Sequence, residues 1–450
     1  MFAWGEDILW LLVLIGVMIM IHEAGHYWAA RYFNVKVEVF SFGFGPRLFG
    51  FRRGETDYRF SLILLGGYVK MAGEQFSEMA SAKAGEESSE DPRHLMNRPR
   101  WQRLIIYFAG PFMNFVLAVG LLAGLYMVKY QRAADIDLQA VIGHVEPGSP
   151  AAKAGLQDGD RIVGLDGKAN PNWDDVNLEE VQSAYRPMRL TVERSGNRLN
   201  FTVTPYLSQL SGVGYAGWDE EGQIELGGIE PGFPAEKAGL KKGDLVLSVN
   251  QVPIHSQVKF RETIAASGGK PIEIQVDRKG RTETFTAQPV YAKLDGPAKW
   301  MIGVQPQPKL HLVTTRLALG PALRESLQQN AKNALIIVQF LKGMAERRMS
   351  TKTIAGPIVL GQLSGAAARE GPAEFFGFMS IVSLNLAIFN LLPIPILDGG
   401  SILMLLIEII LQRDMSLNVK EAVFKLGFVF IMVIVAFVIY NDISKMLPAG

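Results

Sequence analysis

The 450-residue chain contains no cysteine. That excludes disulfides, thiolate metal sites and a cysteine nucleophile, and it leaves His, Asp and Glu as the strong metal ligands. Charge of one sign is missing as well. The 45 Lys and Arg against 44 Asp and Glu give a net charge of +1, so nothing points to nucleic acid as a partner. The N-terminus lacks the basic stretch and small-residue cleavage site of a secretory signal, so its apolar run is expected to be retained. What the chain has in abundance is apolar surface. Hydrophobic residues make up 48% and mean hydropathy is positive at +0.15, above the usual soluble globular chain.

Four stretches, 8–30, 104–128, 375–397 and 422–440, each offer about 20 apolar residues, enough to cross a bilayer as a helix. Only Glu6 and Asp7 carry charge before the first, whereas Arg31, Lys36, Arg47, Arg52, Arg53 and Arg59 follow it closely. The positive-inside rule then puts the N-terminus outside, loop 31–103 in the cytoplasm and the polar segment from about 130 to 370 outside. Residues 331–344 are apolar but short and carry Lys332 and Lys342. They are expected to form an amphipathic helix on the outer surface, within a linker over 310–371. The resulting division is 1–134 with the first two spans, two modules at 135–210 and 222–295, the linker at 310–371, and the last two spans at 372–450. Loop 76–100, rich in Ala, Glu and Ser, reads as a flexible cytoplasmic insert.

His22-Glu23-Ala24-Gly25-His26 lies near the end of the first apolar run. Residues i and i+4 share a helix face, so His22 and His26 can hold one metal ion, with Glu23 where the base for a water would sit. This is a zinc metalloprotease signature, and ionisable groups inside a membrane are costly and usually functional. Zinc needs a third protein ligand. The candidate is Asp398, in Asn390-Leu-Leu-Pro393-Ile-Pro395-Ile-Leu-Asp398-Gly399-Gly400, where two prolines break the helix. Irregular backbone at membrane depth is tolerated where it is buried in protein or lines a wet cavity. An extra crossing at 331–344 would carry Asp398 away from the histidines. The other histidines, His94, His144, His255 and His311, have no such spacing and read as ordinary buried or surface residues.

Glu146-Pro-Gly-Ser-Pro-Ala-Ala-Lys-Ala-Gly-Leu-Gln-Asp-Gly-Asp160 recurs as Glu230-Pro-Gly-Phe-Pro-Ala-Glu-Lys-Ala-Gly-Leu-Lys-Lys-Gly-Asp244. Two copies of one module therefore stand in tandem. The order of strand, short Ala-rich helix, Gly-Asp turn and strand resembles PDZ domains of the bacterial processing-protease type. Such domains bind extended peptide by strand addition, often through a C-terminal carboxylate. Packed spacers without a ligand are the alternative.

His22-Glu-x-x-His26 together with Asn390-x-x-Pro393 and Asp398-Gly399 resembles the site-2 protease family of intramembrane zinc metalloproteases. Gly110-Pro111-Phe-Met-Asn114 matches a third block of that family, and the resemblance covers essentially the whole chain. It implies a multi-span α-helical membrane protein with four transmembrane helices, a membrane-associated β-hairpin and two periplasmic α+β PDZ domains in tandem. It also implies Zn2+ on His22, His26 and Asp398, with Glu23 as catalytic base. The implied location is the bacterial inner membrane, with the active site toward the cytoplasmic side. The implied substrate is a single-span protein already trimmed by another protease. An anti-sigma factor of the envelope stress response leads, and remnant signal peptides come second. The PDZ pair would act as a size filter or read a new C-terminus.

Asn390 and Asn114 are candidates to hydrogen-bond the substrate backbone or an oxyanion, or they simply join helices. Alternation over Val35, Val37 and Val39, and again over Tyr58, Phe60, Leu62 and Leu64, predicts strands with a turn at Gly66-Gly67. An edge there, with Gly66, Gly67 and Tyr68, is expected to capture an unwound substrate by strand addition, or else to cap the site as a structural hairpin.

Overall fold

The protein is described by a computed structural model over residues 2–73, 91–133, 139–209, 211–293, 298–309 and 312–446. Most of the loop at 76–100, and His311, lie outside the described residues. In chain order the principal helices are α1 (Phe2–Tyr32), α2 (Arg100–Val128), α3 (Trp173–Gln182), α4 (Gln257–Ala266), α5 (Leu319–Ala345), α6 (Pro357–Glu370), α7 (Pro372–Asn390), α8 (Asp398–Leu411) and α9 (Leu417–Met446). A long antiparallel hairpin, β1 (Val37–Arg53) and β2 (Thr56–Met71), stands between α1 and α2. The chain forms two compact units. One contains Met1–Tyr130, Thr315–Val338 and Ile354–Gly450, and the other contains Gln131–Thr314 with Gln339–Thr353.

In the first unit, four helices among the described residues are long and apolar enough to cross a membrane: Gly5–Tyr32, Arg100–Val128, Pro372–Asn390 and Asn418–Ser444. Helices α1 and α2 touch at Gly25, where a Cβ would meet the Ala109 carbonyl oxygen at 2.3 Å. Small residues permit this backbone approach where apolar burial gives no drive between helices. Hydroxyls join α7 to α2, with Ser380 Oγ donating to the Ala118 carbonyl and Ser383 Oγ to that of Asn114, both at 2.8 Å.

Two boundaries differ from expectation. The third span stops at Asn390 rather than 397, because Pro393 and Pro395 cannot continue the ladder and α8 begins afresh at Asp398. The linker at 310–371 holds two helices, α5 and α6, separated by residues 346–356. The freed N–H groups of Gly356, Ile358 and Val359 are accepted by the Asp442 carboxylate of α9 at 2.9, 3.1 and 3.2 Å. That is a helix N-cap supplied from another element.

The hairpin is longer than the alternation suggests, and its turn is Gly54-Glu55. Gly66 and Gly67 do not form the turn; they lie within β2, with Gly67 opposite Phe42. They read as turn residues in sequence, but here they serve close approach. A Cβ on Gly66 would fall within the Phe44 ring, and one on Gly67 would press on Ser41, Ile19 and Glu23.

The second unit contains the duplicated module. Each copy has its own core, one around Ile142, Ile162, Met188 and Leu190 and the other around Ile224, Phe260, Ile272 and Ile274. The repeated Gly and Asp have matching tasks. Gly155 and Gly239 end one-turn helices in the left-handed conformation, at φ 94° and 89°. Asp160 accepts from Nε and Nη2 of Arg194, each at 2.6 Å, and Asp244 accepts from Nε and Nη2 of Arg278, each at 2.7 Å. Both modules extend beyond their expected ends. Trp218–Glu220 pairs with Ile142–Val145, and Val304–Pro308 pairs with Ile224–Ile229. These closing strands follow a hairpin and are too short to show a period of their own.

Candidate metal centre

The end of α1 that carries His22, Glu23 and His26 lies beside α2, and the loop after α7 brings Asp398 to the same place. His22 Nε2 is 3.1 Å from Asp398 Oδ2, His26 Nε2 is 3.4 Å from Oδ1, and the two Nε2 atoms are 3.2 Å apart. One ligand atom from each residue lies within 4.8 Å of the others. Gly110 makes room, since a Cβ there would lie 2.2 Å from His26 Nε2. The Gly-Pro block of α2 thus supplies a floor without a side chain beneath the imidazoles.

The outer nitrogens fix the rings. His26 Nδ1 is 2.8 Å from the Ile106 carbonyl, which can only accept, so Nδ1 carries the hydrogen and Nε2 faces inward with a lone pair. His22 Nδ1 is 3.2 Å from the Asn114 side-chain amide, while Asn114 Oδ1 is buried without a partner. Turning that amide end for end places Oδ1 on His22 Nδ1–H and satisfies the orphaned oxygen. Both imidazoles then present Nε2 lone pairs to each other and to a carboxylate, with no hydrogen between them. This N2O donor set, with a further position open to the cavity, fits a divalent transition metal.

Asn114 is fully buried beside His22 and does not line the cavity. Asn390 is half-buried and lines the cavity of about 420 Å3 that also holds Glu23, Tyr68 and the three ligands. The Glu23 carboxylate lies against the Val69 backbone of β2. Tyr68 stacks on Phe44 at 6.0 Å and accepts from Arg59, whose guanidinium lies over its ring. Gly66 and Gly67 adjoin the cavity through Phe44 and Glu23 rather than lining it.

Phe44, Val69, Met71, Tyr107, Ile396 and Ser401 line the cavity without having been singled out in sequence. The aromatic alternation of β1 was the available signal for Phe44. Ile396 gave none, because its φ of 88° is a conformation that a β-branched residue rarely adopts. It belongs to the sharp turn that aims Asp398, behind which Gly399 and Gly400 pack against the backbone of Leu391, Leu392 and Ile394.

Comparison with known proteins gives a consistent result. The profile described as Peptidase family M50 matches residues 10–434. The regulator of sigma-E protease RseP of Salmonella typhimurium is 30% identical, over 98% of this chain and 100% of its own length. RseP of Escherichia coli K12 is 28% identical over 99% of each chain. A Vibrio cholerae protein provisionally named a zinc metalloprotease is 29% identical over 98% of this chain and 100% of its own. Among solved structures, the PDZ domain of an SdrC-like protein from Listeria monocytogenes covers 18% of the chain at 18% identity. Its TM-score of 0.17 is too low to bear on the fold. The chain therefore belongs to peptidase family M50 and is a metalloprotease of the site-2 type.

Proposed function

We propose that the protein is an intramembrane zinc protease that hydrolyses a peptide bond within the transmembrane segment of a pre-trimmed single-span protein. The observation that carries this reading is the convergence of His22, His26 and Asp398, with Glu23 beside them, in a helical unit with four apolar spans. His22 and His26 would hold the ion through Nε2, and Asp398 would hold it through its carboxylate. When bound, zinc supplies Lewis acidity, which acidifies water and polarises a carbonyl. Glu23 takes the water proton on its carboxylate and delivers it to the leaving amine. Asn114 and the Ile106 carbonyl keep both rings in the ligating tautomer. Asn390, on the cavity wall, is the remaining amide within reach of a substrate backbone.

A helical substrate shields its peptide bonds in its own hydrogen bonds, so it must unwind before attack. The β1–β2 hairpin, with Tyr68 and Val69 at the cavity, is the surface on which an extended segment adds as a strand. The duplicated modules read as PDZ domains outside the membrane, and a groove of about 270 Å3 along α4 in the second is the peptide site. The charge bias of loop 31–103 puts that loop in the cytoplasm and the modules in the periplasm of an inner-membrane protein. The names of the Salmonella and E. coli relatives support a role in sigma-E regulation. The substrate we assign to that role is an anti-sigma factor.

The direct test is cleavage of a short single-span substrate by purified protein. Glu23→Gln is expected to keep about one zinc per chain and to lower the rate at least 100-fold, in line with the loss of a general base. A chelator should abolish wild-type cleavage. Cleavage by Glu23→Gln at the wild-type rate would overturn the assignment.

A further inference from the structure

Helix α9 is exposed or half-exposed along most of its length. Among the described residues its buried positions fall in two places. Lys420, Phe424 and Gly427 share one face near its start, and Val438, Asn441 and Asp442 lie near its end. Both places are fastened. Lys420 Nζ is 2.7 Å from Glu408 Oε1 of α8, and the Asp442 carboxylate accepts the Gly356, Ile358 and Val359 N–H groups.

Between these fastenings, Gly427 meets the turn that carries Asp398. A Cβ on Gly427 would lie 2.5 Å from both Cβ and the carbonyl oxygen of Pro395, and 2.8 Å from its carbonyl carbon. Two of those three are backbone atoms, so no change of rotamer makes room. Gly400 closes on the same residue, since its Cβ would lie 2.8 Å from Pro395 Cα and 2.3 Å from the Ile394 carbonyl oxygen. Pro395 is therefore in backbone contact with two glycines, one from α8 and one from α9. Small residues are what permit such an approach between segments in a membrane.

The turn has little of its own to hold it. Pro393 and Pro395 have no N–H to donate, and Leu397 gives α8 no side-chain cap. Ile396, next to Pro395, has a φ of 88°, a conformation that a β-branched residue keeps only where its surroundings enforce it. Asp398 follows two residues later, with its carboxylate 3.1 and 3.4 Å from the two imidazoles.

We propose that Gly427 is a positioning residue for the metal: α9 presses on Pro395 and so keeps the Asp398 carboxylate where it meets His22 and His26. This rests on the zinc reading above. A side chain at 427 is not relieved by withdrawal of α9, because the Lys420–Glu408 pair two turns away and the Asp442 bonds keep the helix in place. The turn gives way instead, and Asp398 moves with it.

The experiment measures the zinc affinity of the full-length chain in detergent by competition with a chromophoric chelator. The unfolding midpoint of the zinc-free protein is measured beside it. Gly427→Ala is expected to weaken zinc at least about tenfold, the range for groups that orient a ligand. The zinc-free midpoint should not fall, since Ala is the better helix former. In an Asp398→Ala background the same substitution should change zinc affinity less than about twofold, because the group it displaces is gone. Pro395→Gly, which empties the contact without a clash, should also weaken zinc at least about tenfold, and it decides if Gly427→Ala does not fold. Wild-type affinity in folded Gly427→Ala, an undiminished loss in the Asp398→Ala background, or a zinc-free midpoint that falls in step with affinity would each overturn the positioning role. Should Asp398→Ala hold no measurable zinc, the midpoints decide. No zinc on wild type would instead remove the zinc reading, and the positioning role with it.

Discussion

Single side chains act by controlling hydrogens. Asn114 touches neither substrate nor metal in the proposed arrangement, yet it sets which nitrogen of His22 carries the proton. Asn114→Leu is therefore expected to weaken zinc binding about 10- to 100-fold, the usual cost of losing such an orienting partner, and zinc competition with a chromophoric chelator measures it. The buried Glu180, whose carboxylate accepts the Ala216 N–H and the Trp218 indole N–H, gives a second prediction. Burial pushes its carboxyl up to about 7, against two hydrogen bonds that pull it down and beside Asp219, which raises it further. Its folded value lies above the unfolded one of 4.5, so ionisation is harder in the fold. The stabilising contribution is complete below pH 4.5 and is lost as pH rises through about 7, a difference of roughly 3 kcal/mol. Hydrogen exchange of the segment 214–220, corrected for intrinsic rates, should show more opening at pH 8 than at pH 5. Glu180→Gln should flatten that difference.

Among the elements, the junction of α8 and α9 carries a buried ion pair. Lys420 Nζ is 2.7 Å from Glu408 Oε1, and Glu408 is 2% exposed and also accepts the Met415 N–H. Removing one partner leaves an uncompensated buried charge. Lys420→Met is expected to destabilise this joint by about 3–5 kcal/mol, and adding Glu408→Leu should recover most of the loss. Unfolding midpoints in detergent for the two single variants and the double variant measure it. Hairpin β1–β2 shows how far element-level reading reached. Alternation found both strands, but it misread Gly66-Gly67 as a turn. Those glycines are selected by the side chains that approach them, Phe44 from one strand and Glu23 from another element, and neither approach leaves a local signal.

For the whole molecule, the orientation proposal has a clean probe because the chain has no cysteine. Asn97→Cys and Asn200→Cys, both at exposed positions, should label from opposite faces of the membrane with an impermeant maleimide. Labelling of both from one face would overturn the topology.

The sequence by itself determined the apolar spans, the duplicated module, the spacing of His22 and His26, and Asp398 as the candidate third ligand. Each is a repeat, a period or a composition, and those survive in one dimension. Only the tertiary structure decided that Asn114 meets His22 and that Gly110 clears a floor for two rings. It also decided that Ile396 adopts a backbone conformation its side chain disfavours, and that the buried Glu180 carboxylate accepts the Ala216 N–H and the Trp218 indole N–H. Those outcomes depend on which groups meet across long stretches of chain, and the energy of a buried polar contact exists only once its partner has arrived.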